Sequence, residues 1–349
     1  MIKIAIYHNL NNGGALTVTK NLVKQLRKIN IKVDIYSNSK ITIPYANKIY
    51  YYPINPHKGL INELLFTVFK LPKIQKNISS DILEKKYNKI IVFPCYLTQS
   101  PFILRYISKN CIYMFQETKR EFYENTSFNH NSIKKIITRL IRYPLKIIDR
   151  KNCRKAEHII VNSYYSQFIL KKYYSKKSYV LYPGIKQVTN KLITTRQHKS
   201  LSLGLLTYLK GHHISSYLNN KTDIYGQVSN ENIIRHIRKQ KVHSNMDINP
   251  EKIYKSYNIF MANQIYEPFG LTTVEACNNE LFVIGSNTGG TCEIIESNVN
   301  GILLPISNLK LSRKITHQIM KKKKIQYWKN CVIDWNHTST NLLKILINE

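Results

Sequence analysis

Two carboxylates flank seven uncharged residues in Glu267-Pro268-Phe269-Gly270-Leu271-Thr272-Thr273-Val274-Glu275. The Pro-Phe-Gly turn can end a strand or loop, and Thr272 can open a helix whose first turn would carry Glu275. A helix start gathers unpaired N–H groups and partial positive charge. Such a place can hold a diphosphate, with the glutamates free to grip hydroxyls. The same letters also form a capping box, Thr272-x-x-Glu275, which would make Glu275 a helix-start residue and nothing more. Both readings stand at this point.

A second stretch adds to the first. Asn287-Thr288-Gly289-Gly290-Thr291-Cys292-Glu293 follows a strand-like run and precedes a helical one. Two adjacent glycines let backbone approach a ligand closely. Helix starts at the ends of neighbouring parallel strands would converge on one crevice, where open α/β sheets bind ligands.

The elements that must position these residues are legible from periodicity. Residues 2–7 are apolar and β-branched, and a polar stretch ending in Gly13-Gly14 follows. Leu22, Val23 and Leu26 then recur at helical spacing, and Val33-Asp34-Ile35-Tyr36 is a second strand. Strand, glycine loop, helix, strand is a βαβ unit, so a parallel sheet is expected. Further strands are expected at 89–93, 112–115, 158–161, 179–182, 201–206, 259–261 and 281–284, with Thr222–Gly226 able to serve as another. Helices are expected at 272–279, 291–297 and 338–347. Residues 133–148 carry Ile133, Ile136, Ile137 and Leu140 interleaved with Lys134, Lys135, Arg139 and Arg142, and break near Pro144. Such a basic amphipathic helix can lie on an anionic bilayer. The favoured expectation is that its apolar face packs on the sheet and its lysines face water.

Composition narrows the partners. The 349 residues hold 53 Lys and Arg against 20 Asp and Glu, a formal net charge of +33. The excess of Lys, Ile, Asn and Tyr fits compositional drift. It also fits an anionic partner: phosphates or an anionic membrane surface. A nucleic-acid partner would explain the charge but none of the motifs. Six scattered cysteines without a Cys-x-x-Cys pair argue against a zinc ribbon or a disulfide framework, and fit a reducing cytoplasm. Met1–Tyr7 is too short and strand-like for a signal peptide, and no apolar run reaches membrane-spanning length. The expectation is a cytoplasmic protein whose membrane contact, if any, is peripheral on the inner face.

The motifs, taken in order, resemble those of the retaining glycosyltransferases of family 4, the group 1 transferases with the GT-B fold. Gly13-Gly14-Ala15 resembles the Gly-Gly-Ala loop, and Ala156–Ser163 the A-D-x-I-I-x-N-S segment. Tyr182-Pro183-Gly184-Ile185 is similar to the hinge, and Gly204 through Lys210-Gly211 to G-R-L-x-x-x-K-G. Glu267 through Glu275 matches E-x7-E, Gly289-Gly290 and Asn300–Leu303 match the elements that follow, and Asp334-Trp335 resembles the F-S-W ending. Each motif alone is weak; their order along nearly the whole chain is specific.

The resemblance implies an α/β, GT-B architecture: two Rossmann-like parallel-sheet domains facing a central cleft, the second one shortened. The boundaries expected are 1–185 for an acceptor domain, 186–200 for a linker and 201–333 for a nucleotide-sugar domain. A final helix, 334–349, would return to the first domain. By the same resemblance, Glu275 would bind the ribose of the donor nucleotide, and Glu267 the donor sugar's hydroxyls. Backbone N–H groups of Phe269, Gly270 and Leu271 would meet the sugar and diphosphate, with Gly289 and Gly290 beside them. Lys210 would neutralise the departing diphosphate. Gly13, Gly14 and Gln116 would contribute from the first domain.

The implied partners are a nucleotide-diphosphate sugar and a glycan or lipid-linked acceptor, in cell-surface polysaccharide or glycoconjugate synthesis. No Asp-x-Asp occurs in the chain, so no metal and no cofactor are expected.

Departures from the pattern set the alternative. Leu205 stands where the family usually has arginine; Arg235, Lys221 or Lys252 could compensate. Gln116-Glu117-Thr118 replaces His-Glu-Pro, which makes His8 another candidate for the cleft. The span from Lys210 to Glu267 is short, with room for about two βαβ units of roughly thirty residues each. The alternative is a catalytically weakened GT-B-like subunit that binds nucleotide sugar or a partner. A sugar-nucleotide epimerase of the same architecture lacks the E-x7-E and Gly-Gly-Ala combination.

Overall fold

The computed structural model describes residues 2–56, 58–107, 111–124, 133–185, 197–228, 234–235, 237, 242–244, 250–322 and 335–348. The chain divides into two units, Met1–Gly184 with Trp335–Glu349, and Ile185–Asp334.

The first unit is built on a seven-stranded sheet of order β3-β2-β1-β4-β5-β6-β7. Its strands are β1 (Lys3–Asn9), β2 (Lys32–Ser37), β3 (Lys48–Tyr51), β4 (Lys89–Cys95), β5 (Cys111–Phe115), β6 (His158–Val161) and β7 (Tyr179–Val180). All neighbours pair in parallel. β1, β4 and β5 are apolar almost throughout and buried, as strands covered by helices on both faces must be. The helices are α1 (Gly14–Lys28), α2 (Leu60–Leu65), α3 (Leu71–Glu84), α4 (Arg120–Tyr123), α5 (Ile133–Ile141), α6 (Tyr143–Lys155) and α7 (Tyr164–Tyr174). A π-helical turn, Phe66–Lys70, joins α2 to α3. Leu16, Leu22, Val23 and Leu26 form the buried face of α1. Ser163 caps α7 by accepting from Ser166 N, which is one use of the Asn-Ser pair.

α6 is tied down by polar groups. The buried carboxylate of Asp149 accepts from Ser100 N at 3.1 Å and from Ser100 Oγ at 2.6 Å. The Tyr174 hydroxyl donates to its other oxygen, and Asn152 Nδ2 donates to Ser100 O. α5 differs from expectation. Ile136, Ile137 and Leu140 do not pack on the sheet: all three are exposed, Leu140 to 67%. The helix carries more apolar surface than this unit covers.

The second unit has a six-stranded parallel sheet of order β10-β9-β8-β11-β12-β13. Its strands are β8 (Gln197–Leu203), β9 (Thr222–Gly226), β10 (Val242–Ser244), β11 (Tyr257–Ala262), β12 (Phe282–Ser286) and β13 (Gly301–Leu304). Its helices are α8 (His212–Leu218), α9 (Pro250–Lys255), α10 (Leu271–Asn278), α11 (Thr291–Ile294) and α12 (Leu309–Met320). The last four residues expected as linker, Gln197–Ser200, belong to β8, and residues 186–196 lie outside the described residues. β8 stops at Leu203, because Gly204 turns to φ +147°. The short span from Lys210 to Glu267 holds α8, β9, β10, α9 and β11.

The last helix, α13 (Trp335–Asn348), belongs to the first unit. Trp335 and Leu342 are buried, and Thr338 Oγ1 donates to Tyr182 O at 2.9 Å. Among the described residues no helix is long and apolar enough to cross a membrane. Cys95, Cys111, Cys153, Cys277 and Cys292 are free thiols, and Cys331 lies outside the described residues, as do Asp334 and Lys323–Lys324.

Candidate active site

In the second sheet the strand order reverses between β8 and β11, and β8, β11 and β12 are consecutive neighbours. Their carboxyl-terminal loops therefore emerge together, at the kind of switch point where open α/β sheets take ligands. Lys210 comes from the first loop, Glu267 to Leu271 from the second, and Gly289-Gly290 from the third.

Backbone contact joins the first two loops. Gly211 holds φ +66°, and a Cβ there would lie 1.8 Å from Asn263 O. Only glycine fits both the angle and the approach. Next to it, Ile265 N donates to Leu209 O at 2.9 Å. Lys210, presented by the 3-10 turn Tyr208–Lys210, thus meets Glu267: Nζ lies 2.7 Å from Oε1 and 2.9 Å from Oε2. The lysine side chain is 31% exposed and the glutamate 12%, so the pair stands at the surface of the loops.

His212 holds the lysine loop from behind. Burial pushes its pKa down to about 4, so the imidazole is neutral. Nε2–H donates to Leu205 O at 3.3 Å, and Nδ1 accepts from Ser202 Oγ at 3.0 Å. The carbonyl can only accept, which fixes the tautomer. The Leu205 side chain is 45% exposed, an apolar group standing open where the resemblance expects a cation. Lys221, offered as a substitute, immediately precedes β9 and so stands at the opposite, amino-terminal end of the strands.

Gly289 and Gly290 meet protein backbone. A Cβ on Gly289 would lie 2.4 Å from Glu267 O, and one on Gly290 would lie 2.5 Å from Pro268 O. Gly290 N donates to Glu267 O at 2.7 Å. The glycine pair is what lets the third loop seat the second, so it shapes the turn that carries Glu267. Phe269 is buried beneath that turn.

α10 begins at Leu271, not Thr272, with Gly270 as the N-cap residue at φ +106° and no side-chain cap. The capping box does not form. Thr272 Oγ1 accepts from Gln264 Nε2 at 3.2 Å, and Glu275 falls on the second turn, not the first. Glu275 Oε2 instead accepts from the hydroxyl of Tyr254 on α9 at 3.0 Å. Burial raises its pKa, and the tyrosine hydrogen bond opposes the shift. Tyr254 also donates to Thr272 O at 3.3 Å, so one hydroxyl braces both the carboxylate and the helix start. Nothing in the spacing of Ile253-Tyr254-Lys255 marks this tyrosine; it is found by packing alone. Among the described residues no three His, Cys, Asp or Glu side chains gather as a metal ion would require.

The first unit holds the other candidates. Gly13 and Gly14 are exposed at the start of α1, just beyond the carboxyl end of β1. Gln116 follows β5, where Asn162 Nδ2 donates to its backbone O at 3.0 Å and to Oε1 at 3.4 Å. Its amide NH2 remains the group that can donate to a ligand. Gln116, Asn162, Pro183, Trp335 and Thr338 help line one small pocket of this unit. His8 is fully buried on β1, with neither ring nitrogen hydrogen-bonded among the described residues. Burial, aided by Lys20, lowers its pKa to about 4.

Residues 219–331 match the family described as Glycosyl transferases group 1. The matched stretch is about a third of the chain, and over it the chain is similar to the group 1 glycosyl transferases. The matched segment contains Glu267, Glu275, Gly289 and Gly290, while Lys210 lies just upstream of it. An uncharacterized glycosyltransferase of Methanocaldococcus jannaschii is 42% identical over 52 residues, which cover 15% of this chain and 13% of that protein. The match thus spans a small part of that relative's length. Among solved structures, sucrose-phosphate synthase from Thermosynechococcus elongatus aligns with a TM-score of 0.74 at 14% identity, covering 100% of this chain and 99% of that one. The Anabaena protein HepE, in complex with UDP and glucose, aligns with a TM-score of 0.67 at 14% identity, covering 100% of both chains. These likenesses are of fold, and the fold is GT-B.

Proposed function

We propose that the protein is a retaining glycosyltransferase that moves a sugar from a nucleotide-diphosphate donor to a glycan or lipid-linked acceptor, without a metal. The observation that carries this reading is the meeting of Lys210 and Glu267 beside the start of α10, at the switch point of the second sheet. A GT-B neighbour that holds UDP and glucose supports a nucleoside diphosphate sugar as donor.

In this reading the diphosphate sits at the amino end of α10, where the first helical amides have no intrahelical acceptor. Glu267 takes hydroxyls of the donor sugar and Glu275 those of the ribose. The bond between the anomeric carbon and the diphosphate oxygen breaks as the acceptor oxygen bonds that carbon on the same face. The acceptor's proton passes to the departing diphosphate oxygen. Lys210 neutralises the charge that develops there, so the protein contributes positioning and electrostatics rather than an acid or base. The free thiols support a cytoplasmic setting, with the acceptor reached at the inner face of a membrane.

A thermal-shift screen against UDP-, GDP- and ADP-sugars tests the reading. A donor that raises the melting temperature, followed by nucleoside diphosphate release, supports transfer. Binding without release in the presence of any acceptor would favour the weakened subunit, for which the exposed Leu205 is the argument.

A further inference from the structure

Two stripes of exposed apolar side chains lie on helices of the first unit that pack together. One is Ile136, Leu140, Tyr143 and Ile147, spaced by four, three and four residues across α5 and α6. The other is Ile61, Leu65 and Phe69, spaced by four through α2 and the π turn; Ile61 is 61% exposed and Phe69 64%. The turn buries Phe66 and Thr67 and leaves Phe69 outside. The two sets of helices share one buried cluster, since Ile148 of α6 packs on Phe66, Leu71 and Phe102.

The charges around the stripes are basic. Lys73 stands one turn beyond Phe69, and Lys151 one turn beyond Ile147, both exposed. Lys70 and Arg139 are exposed on the same helices. The acidic residues nearby are engaged: Arg142 lies 3.8 Å from Glu63 and 3.3 Å from Glu121. Aliphatic and aromatic side chains at helical spacing, bordered by lysines, have the chemistry of a surface that enters the headgroup layer. We propose that this face of the first unit docks on a bilayer carrying anionic lipid, with Leu140, Ile147, Ile61, Leu65 and Phe69 as the inserted groups. The inference deepens the membrane setting given above, yet its test needs neither donor nor acceptor.

The test is sedimentation of the full chain with sucrose-loaded vesicles. Phosphatidylcholine mixed with phosphatidylglycerol should carry the protein down at low salt, and phosphatidylcholine alone should not. Phe69→Ser with Leu140→Ser and Ile147→Ser should weaken binding by about tenfold or more. Lys73→Glu with Lys151→Glu should weaken it comparably, and the matched charge reversal Lys310→Glu with Lys314→Glu on α12 should not. Unchanged far-UV circular dichroism and thermal unfolding show that the variants fold. Equal binding to neutral vesicles, or equal loss in the α12 control, would overturn the proposal. So would wild-type protein that ignores lipid but forms a dimer that the apolar variant breaks. Nucleoside diphosphate release without lipid reports separately on the transferase reading.

Discussion

The Lys210 ammonium sits against both oxygens of the Glu267 carboxylate, at 2.7 and 2.9 Å. In the proposed reading this one cation serves both the carboxylate that takes sugar hydroxyls and an incoming diphosphate, which competes for it. Replacing Lys210 with Ala should lower turnover about 100- to 1,000-fold, the usual cost of losing one transition-state charge partner. Glu267→Gln should cost a similar factor, and the double variant much less than the product. Steady-state release of nucleoside diphosphate measures all three; strictly additive losses would show that the two residues act apart.

The pair is held together by backbone, which makes Gly211 a sensitive position. Gly211→Ala sets a methyl group 1.8 Å from Asn263 O and forces a positive φ on a non-glycine residue. A loss of about 2–4 kcal/mol in denaturant unfolding is expected, along with lost activity. An unchanged midpoint would mean that the two loops move apart freely.

Glu275→Gln keeps a side chain able to accept from Tyr254 but removes the charge. Donor affinity by calorimetry should fall about tenfold, because a charged acceptor binds a hydroxyl roughly twice as strongly as a neutral one. Tyr254→Phe should do less harm to affinity and more to stability, since the hydroxyl braces Thr272 O and Glu275. Unaltered affinity in Glu275→Gln would reduce the residue to a brace.

Asp149 predicts a pH effect on the stability of the first unit. Burial lifts its pKa from 3.8 to about 6, so between those values the folded protein keeps a proton that the unfolded chain has released. Stability attributable to this group falls as pH rises through that window. Asp149→Asn still accepts from Ser100 but cannot titrate. Wild type minus variant stability should therefore drop by on the order of 3 kcal/mol from pH about 4 to pH about 6. A flat difference curve would show that the carboxylate is already ionised when buried.

Much of the fold follows from periodicity. The run of β1, the face Leu22-Val23-Leu26 of α1 and the strand at β2 announce a parallel βαβ unit. β3 escapes because Lys48-Ile49-Tyr50-Tyr51 is a short, largely exposed edge strand with little apolar run. The candidate glutamates are visible from their motif, but their partners are not. Lys210 meets Glu267 only because Gly211 abuts Asn263, and Glu275 meets Tyr254 only because α9 packs beside α10. The glycine pair at 289–290 stands out in sequence, yet its immediate neighbour is the backbone of Glu267 and Pro268. α5 is visible as an amphipathic helix, but whether its apolar side is covered depends on what packs there, and here Leu140 stands open.

The most direct test of the central claim is nucleoside diphosphate release from a panel of UDP-, GDP- and ADP-sugars, by wild type and by Lys210→Ala side by side. The account predicts that at least one donor is turned over by wild type and that the variant loses at least about 100-fold of that rate. Turnover that survives the loss of the Lys210 side chain, or no turnover and no binding of any donor by wild type, would contradict it.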